Sequence, residues 1–223
     1  MKNEFCMPDS LTIGSAVLLG GVFVFVLLAS ALTLGSPMIR FDQALADALR
    51  ANLAPGTLQV FAALTHLADT ATLTVLCAVG TLVLLARRQR GLALAWVLAI
   101  AGNGLLNQSL KTLIGRVRPL NPEGALLTQG LSFPSGHSSG AVVAYGMMAY
   151  LALRLLPKAW HWPAMIAALT LALTVGISRV VLRVHFASDV AAGFASGSAW
   201  LALCITSVEL MGAWRGRRNQ SSA

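Results

Sequence analysis

Long apolar segments separated by short polar ones dominate the pattern of this chain. Each apolar segment reaches about 20 residues, the length that an α-helix needs to cross the hydrocarbon core of a bilayer. The segments lie at residues 13–34, 66–86, 91–112, 137–156, 161–181 and 188–210. Prolines, glycines and arginines stand between them, as is typical of loops. The pattern predicts an all-α integral membrane bundle of six transmembrane helices, forming a single domain over residues 1–223.

Two segments near the N-terminus need separate interpretation. Residues 41–53 place Phe and Leu four apart with Asp42 and Asp47 between them, which predicts an amphipathic helix at the membrane interface. In the first span, Ala29-Ser30-Ala31 matches a signal-peptide cleavage site. The residues before that span carry little net positive charge, so we expect a retained helix.

Composition agrees with a membrane protein, since 57% of residues are hydrophobic and 11% are charged. The net charge of +8 is spread between the apolar segments, with no nucleic-acid motif, so we expect no nucleic-acid partner. Cys6, Cys77 and Cys204 lack paired spacing and are interpreted as packing residues. No cluster has metal-ligand spacing, and we expect neither a metal nor a cofactor.

Three polar stretches interrupt the apolar pattern, at residues 111–119, 134–137 and 178–189. With six spans and a cytoplasmic N-terminus, all three lie at the outer ends of helices, where one composite site can form. Lys and Arg favour cytoplasmic loops, yet this arrangement gives nine inside and seven outside. Five of those seven belong to the polar stretches, and cations that bind an anion do not report topology. The sequence therefore predicts an extracytoplasmic site.

Phosphate is the ligand that these stretches favour. Lys111, Arg118 and Arg179 supply cationic donors, and an arginine fork matches phosphate oxygens. Lys111 and Arg118 are seven residues apart and share a face if their helix is continuous. Ser135 and Gly136 precede an apolar helical run, where free N–H groups and the helix dipole attract anions.

Two histidines and a carboxylate complete the candidate site. His185 and Asp189 are four residues apart, which on a helix puts them on one face. The carboxylate can fix the imidazole tautomer and leave the other nitrogen free as a nucleophile or base. His137 contributes a second imidazole from a different turn. This set suits phosphoryl transfer through a phosphohistidine.

The three stretches contain the complete patterns K-x6-R-P, P-S-G-H and S-R-x5-H-x3-D over a core of residues 111–189. The chain thereby resembles the type-2 phosphatidic acid phosphatase family, which is related in its site to vanadium haloperoxidases. The resemblance implies that His185 is the nucleophile, Asp189 its partner and His137 the acid that protonates the leaving oxygen. It also implies a set of residues that hold the phosphate oxygens: Lys111, Arg118, Ser135, Gly136 and Arg179.

The expected substrate is a membrane lipid bearing a phosphate monoester or diphosphate. Within the family, small chains of this kind resemble bacterial phosphatidylglycerophosphate or undecaprenyl diphosphate phosphatases, and the sequence does not choose between them. The resemblance implies a bacterial inner membrane location. A lipid phosphotransferase with the same site, or a non-catalytic transporter or binding protein for anionic lipids, is the alternative. The sequence leaves the oligomeric state open.

Four further ionisable residues lie near the predicted site. His66 and Asp69 fall near the outer end of the second span, where they could support the site by orienting one of its cations. Arg116 and Arg183 flank the motif residues. We interpret both arginines as extending to the membrane interface, with contact to a lipid headgroup as the alternative.

Overall fold

The computed structural model describes residues 7–33, 37–52, 54–119 and 130–221. Within these ranges there are eight α-helices, two short 3₁₀ turns and no β-strand, which confirms the all-α prediction. The helices are α1 Met7–Thr33, α2 Pro37–Asn52, α3 Pro55–Thr65, α4 Thr70–Ala86, α5 Arg90–Ile114, α6 Gly136–Leu155, α7 His161–Val181 and α8 Ala187–Ser221. The 3₁₀ turns, His66–Ala68 and Lys158–Trp160, precede α4 and α7. Cys6 and residues 120–129 of the loop between α5 and α6 lie outside the described residues.

Five helical segments of the described chain are long and apolar enough to cross a membrane. They are Leu11–Leu32, Gly56–Ala86, Arg90–Ile114, Lys158–Val181 and Ala187–Trp214. The membrane prediction is supported, but the count of six spans is not confirmed. The predicted span at residues 137–156 does form a helix, α6, but it is not among these five segments; it contains glycines, serines and one histidine. The second predicted span begins earlier than expected and is interrupted by the turn at His66–Ala68.

Helix α6 lies at the centre of the bundle, against α5, α7 and α8. Its Ala141, Val143 and Met147 are fully buried. Small residues on α8 allow close approach: a Cβ at Gly193 would lie 2.6 Å from the Ser135 carbonyl oxygen, and one at Gly197 would lie 2.9 Å from that of Ser139. The start of α8 is therefore held against the start of α6.

Helix α1 runs antiparallel to α8 along one side of the bundle. Gly14 of α1 faces Thr206, and Gly21 faces Ala195 and Ala199, so successive turns of α1 meet earlier turns of α8. The other side of α1 is apolar and exposed, with Phe23 68% exposed, as expected of a lipid-facing surface. Retention of this helix stays a prediction.

The alternation of helix directions brings the end of α5, the starts of α6 and α8 and the end of α7 to one end of the bundle, which we call the site end. At the opposite end, Glu209 accepts hydrogen bonds from Tyr150 at 2.6 Å and Arg154 at 2.8 Å. Helix α2 lies at the site end and confirms the helix predicted there, while its position at the membrane interface stays a prediction. Its Asp47 is exposed, whereas Asp42 is 1% exposed and faces the bundle.

Candidate active site

The first motif leaves its helix before its arginines are reached. Helix α5 ends at Ile114, and Gly115 closes it with a left-handed φ of 68°, a conformation that suits glycine. Lys111 stays on the last turn and its Nζ donates to the Leu131 carbonyl oxygen at 2.7 Å. Arg118 follows in non-helical backbone. The helix is therefore not continuous from Lys111 to Arg118, and the condition under which the two would share a helical face is not met.

His185 and Asp189 form a buried pair at the start of α8. His185 Nδ1 lies 3.5 Å from Asp189 Oδ2 and 3.4 Å from Ser132 Oγ. Asp189 Oδ2 also accepts from the Ser132 hydroxyl and from the Phe186 N–H at 2.9 Å. On the other side of the ring, His185 Nε2 lies 3.3 Å from Arg118 Nη1. The pair thus orients Nδ1 and leaves Nε2 facing a cation.

The surroundings of His185 keep its imidazole neutral. Burial lowers the pKa of His185 to about 3, and the charges of Arg118 and Arg179 also lower it, while Asp189 acts in the opposite direction. An imidazole is nucleophilic only in its unprotonated form. At neutral pH the His185 imidazole is therefore unprotonated.

Within the part of the chain that the structure describes, three cations of the motifs have only neutral hydrogen-bond acceptors. Lys111 donates to a backbone carbonyl, and Arg118 Nη1 donates to the Val184 carbonyl oxygen at 2.8 Å. Arg179 Nη1 donates to Thr65 Oγ1 at 2.7 Å, and its buried Nε has no hydrogen-bond partner. Among the described residues none of the three forms an ion pair with a carboxylate, in contrast to Arg116. Their charges are therefore available to an anion such as phosphate.

The second motif forms the N-terminus of α6. The Ser135 side chain accepts from Ser138 N at 3.4 Å and from Ser138 Oγ at 2.8 Å, so its own hydroxyl proton remains available to a ligand. The first N–H groups of a helix, here those of Gly136 and His137, have no partner within that helix. A Cβ at Gly136 would lie 3.0 Å from Asn107 Oδ1, which leaves little room for a larger residue. This turn is suited to anion binding.

The His137 side chain contacts Asp69, which lies between α3 and α4. Its Nε2 lies 2.7 Å from Asp69 Oδ1, and the other oxygen of Asp69 contacts His66 Nδ1. Asp69 therefore has a place beside the site, as the sequence left open, but it contacts an imidazole instead of orienting a cation through a hydrogen bond. A carboxylate in this position fixes the orientation of the His137 ring.

The three motifs meet in one place, as the sequence predicted. Ser135 N donates to the Asp189 carbonyl oxygen at 3.0 Å, which joins the second motif to the third. Arg118 Nη1, from the first motif, lies 3.3 Å from His185 Nε2, which joins the first motif to the third. One composite site at the site end of the bundle therefore contains all three.

Two arginines were placed wrongly by the sequence interpretation. Arg116 does not extend to the interface: Nη1 lies 2.6 Å from Asp189 Oδ1 and Nη2 lies 2.8 Å from Asp42 Oδ2. Arg183 is 7% exposed, so it too is buried in the protein. Burial of these long side chains depends on packing against helices that are distant in sequence, so the local sequence pattern cannot predict it.

Three residues at the site were missed by sequence reasoning: Asp42, Thr65 and Ser132. Asp42 alone carried a usable signal, because the chain has only eight acidic residues and this one lies near the predicted site end. Thr65 and Ser132 lie outside the motifs and are of types common in any loop or helix end. Nothing in the local sequence distinguishes them.

Comparison with known families matches the part of the chain that contains the site. The family model described as PAP2 superfamily matches residues 91–211, and this range includes all three motifs. The chain belongs to the PAP2 superfamily. The resemblance that the motifs suggested is thereby confirmed, and with it membership of a family of phosphatases.

Two relatives from Bacillus subtilis cover most of the chain. Phosphatidylglycerophosphatase B of strain 168 is 33% identical over 178 residues, which are 79% of this chain and 87% of the relative. The crystal structure of a transmembrane PAP2-type phosphatidylglycerolphosphate phosphatase superimposes with a TM-score of 0.77 at 31% identity. That match covers 85% of this chain and 94% of the other. The helical membrane architecture is therefore shared with a PAP2 phosphatase.

Proposed function

We propose that this protein hydrolyses a phosphate monoester or diphosphate on a membrane lipid, with His185 as nucleophile. The observation that carries the proposal is the position of Arg118 Nη1, 3.3 Å from His185 Nε2, where its charge meets no carboxylate among the described residues. A phosphate bound by this guanidinium lies next to the free nitrogen of the imidazole. Electrostatic stabilisation of the transferring group is then supplied by cations already in place.

The first chemical step is an in-line displacement at phosphorus. His185 Nε2 attacks, a nitrogen–phosphorus bond forms, and the bond from phosphorus to the lipid oxygen breaks. His137 donates a proton to that departing oxygen, so the lipid leaves as a neutral alcohol when the substrate is a monoester. Asp189 holds the opposite nitrogen, Nδ1, and stabilises the positive charge that develops on the His185 ring.

The second step regenerates the protein. His137, now unprotonated, takes a proton from water, and the oxygen of that water attacks the phosphohistidine. The nitrogen–phosphorus bond breaks, inorganic phosphate leaves and His185 returns to its neutral form. Lys111, Arg118 and Arg179 bind the phosphoryl oxygens in both steps, with the N-terminus of α6.

A phosphatidylglycerophosphate-like lipid is the first substrate to test. The relative that is 33% identical over most of both chains carries the name phosphatidylglycerophosphatase B. The site also lies at one end of a bundle whose outer surface is apolar, so the acyl chains of a lipid can remain in the bilayer. An undecaprenyl diphosphate-like substrate is the second candidate, since it presents its phosphate at the same depth.

Phosphate release by the purified protein tests the proposal. Phosphatidylglycerophosphate is expected to yield inorganic phosphate at a rate that vanadate suppresses and that EDTA does not. The described residues hold no group of three or more His, Cys, Asp or Glu side chains suited to a metal ion, and metal independence remains a prediction. Undecaprenyl diphosphate is tested in parallel. Binding without release would favour the transporter, and appearance of the phosphate on an added lipid alcohol would favour the phosphotransferase.

The side of action can be tested by chemical labelling. In a cysteine-free background, Glu123→Cys adds a thiol to the loop between the first two motifs, and Gln89→Cys adds one to the loop at the opposite end. Glu123→Cys is expected to react with an impermeant thiol reagent in intact cells, because the bias of basic residues puts the motifs outside. Gln89→Cys is expected to react only after the membrane is opened. The reverse pattern would contradict the extracytoplasmic site.

A further inference from the structure

Arg116 lies between two buried carboxylates that come from different helices. Nη2 lies 2.8 Å from Asp42 Oδ2 on α2, and Nη1 lies 2.6 Å from Asp189 Oδ1 on α8. The side chain of Arg116 is 12% exposed, and neither carboxylate side chain is exposed at all. One guanidinium thus joins the interfacial helix to the carboxylate that contacts His185.

Further contacts fix this arrangement from both sides. Asp42 accepts from the Ser188 N–H at 3.1 Å and from the Ser188 hydroxyl, and that hydroxyl accepts from Arg116 Nη1 at 2.7 Å. The guanidinium carbon lies 4.2 Å from the centre of the Phe186 ring. Both terminal nitrogens of Arg116 are therefore engaged by protein groups, and its charge is compensated. This is the opposite of the situation of Arg118.

We propose that Arg116, anchored by Asp42, is a positioning residue that acts through Asp189 on His185. The inference rests on the proposed phosphatase function. Asp189 Oδ2 faces His185 Nδ1, whereas Oδ1 is held by Arg116. Loss of the guanidinium frees one oxygen of the carboxylate, and the carboxylate can then rotate away from the imidazole. A misplacement of about 1 Å can lower a catalytic rate about 10²-fold.

The kinetic signature of positioning separates Arg116 from the residues that hold phosphate. Arg116→Ala is expected to lower kcat about 10²-fold and to leave the KM for the lipid and the inhibition constant for vanadate almost unchanged. Arg118→Ala, the matched variant two residues away, is expected to weaken vanadate inhibition as well. Arg116→Lys keeps the charge but cannot bridge two carboxylates in a fork, so an intermediate kcat is expected.

A second variant excludes a merely structural role. Arg116→Ala leaves two buried carboxylates without a cation, which by itself destabilises a protein. The double variant Arg116→Ala/Asp42→Asn removes one of these charges and is expected to regain thermal stability without regaining kcat. Asp47→Asn on the exposed face of α2 is the matched control for Asp42→Asn, and both its stability and its kcat are expected to equal those of the wild type.

The outcomes distinguish this inference from the function on which it rests. If the wild type releases no phosphate from any lipid, the proposed function fails. If the wild type is active and Arg116→Ala has a normal kcat, the positioning role alone is wrong. Recovery of both stability and kcat in the double variant would overturn it too, because Arg116 would then only compensate charge. The double variant decides the matter even if Arg116→Ala does not fold.

Discussion

His185→Ala is expected to abolish release of phosphate from the lipid, with a loss of about 10⁶-fold in kcat. In the proposed mechanism the substitution removes the atom that forms the bond to phosphorus, so no orientation of the remaining groups can replace it. Asp189→Asn is expected to retain a residual rate, lowered about 10⁴-fold, because the nucleophile is still present but its tautomer and orientation are no longer fixed. The two rates are measured on purified protein with the same lipid.

Trapping of the intermediate makes this test specific. Brief exposure of the wild type to a lipid labelled with ³²P is expected to leave acid-labile label on the protein, as for a phosphoramidate, and His185→Ala should carry none. Elution by size and thermal unfolding establish that each variant is folded, since the pair is buried and its loss has a structural cost. A His185→Ala protein that turns over like the wild type would contradict the mechanism, and label on that variant would move the nucleophile elsewhere.

His137→Ala is expected to slow the first chemical step far more for a lipid monophosphate than for a lipid diphosphate. Breaking a monoester expels an alkoxide, a poor leaving group, and general acid catalysis is typically worth about 10²- to 10⁴-fold. Breaking a diphosphate expels a phosphate, which leaves well without a proton. The substitution therefore reports on the leaving oxygen, and the ratio of the two losses measures the contribution of the acid.

The measurement has to isolate that first step. Overall turnover also depends on His137 as the base that activates water, so steady-state rates would fall for both substrates. A single-turnover burst of released lipid avoids this, because lipid departs before the phosphohistidine is hydrolysed. Asp69→Asn serves as a companion variant: it keeps the imidazole but removes the carboxylate that lies 2.7 Å from its Nε2. Equal burst losses for the monophosphate and the diphosphate would remove His137 from the acid role.

The residues of the site could be predicted because the groups that act together lie only a few residues apart in the sequence. His185 and Asp189 contact each other within four residues, and the Pro-Ser-Gly-His turn starts its own helix. Such local contacts depend on backbone geometry over one turn and do not require a particular tertiary packing around them. The sequence left open whether the helix of Lys111 continues to Arg118, and the structure decides it: α5 ends at Ile114, Gly115 is left-handed, and Arg118 does not lie on that helix.

Charge pairing over long distances could not be predicted in the same way. Arg116 and Asp42 are separated by 74 residues, and the contact exists because α2 folds back onto the start of α8. A local pattern treats an arginine beside a membrane span as a group that seeks water, and Asp42 as part of the polar face of an interfacial helix. The energy of a buried charge depends on its partner, and the partner is found only by packing.

The sequence by itself determined the all-helical character, the membrane environment and the set of chemical groups at the site. It could do so because transfer of apolar segments into lipid depends on composition and length, and because motif spacing acts over a few residues. The tertiary structure decided which cations remain available for an anion and which is neutralised, and it decided that Asp69 holds His137. These properties arise from contacts between helices far apart in the chain. Burial excludes water there, so the electrostatic energy of each charged group depends strongly on its partner.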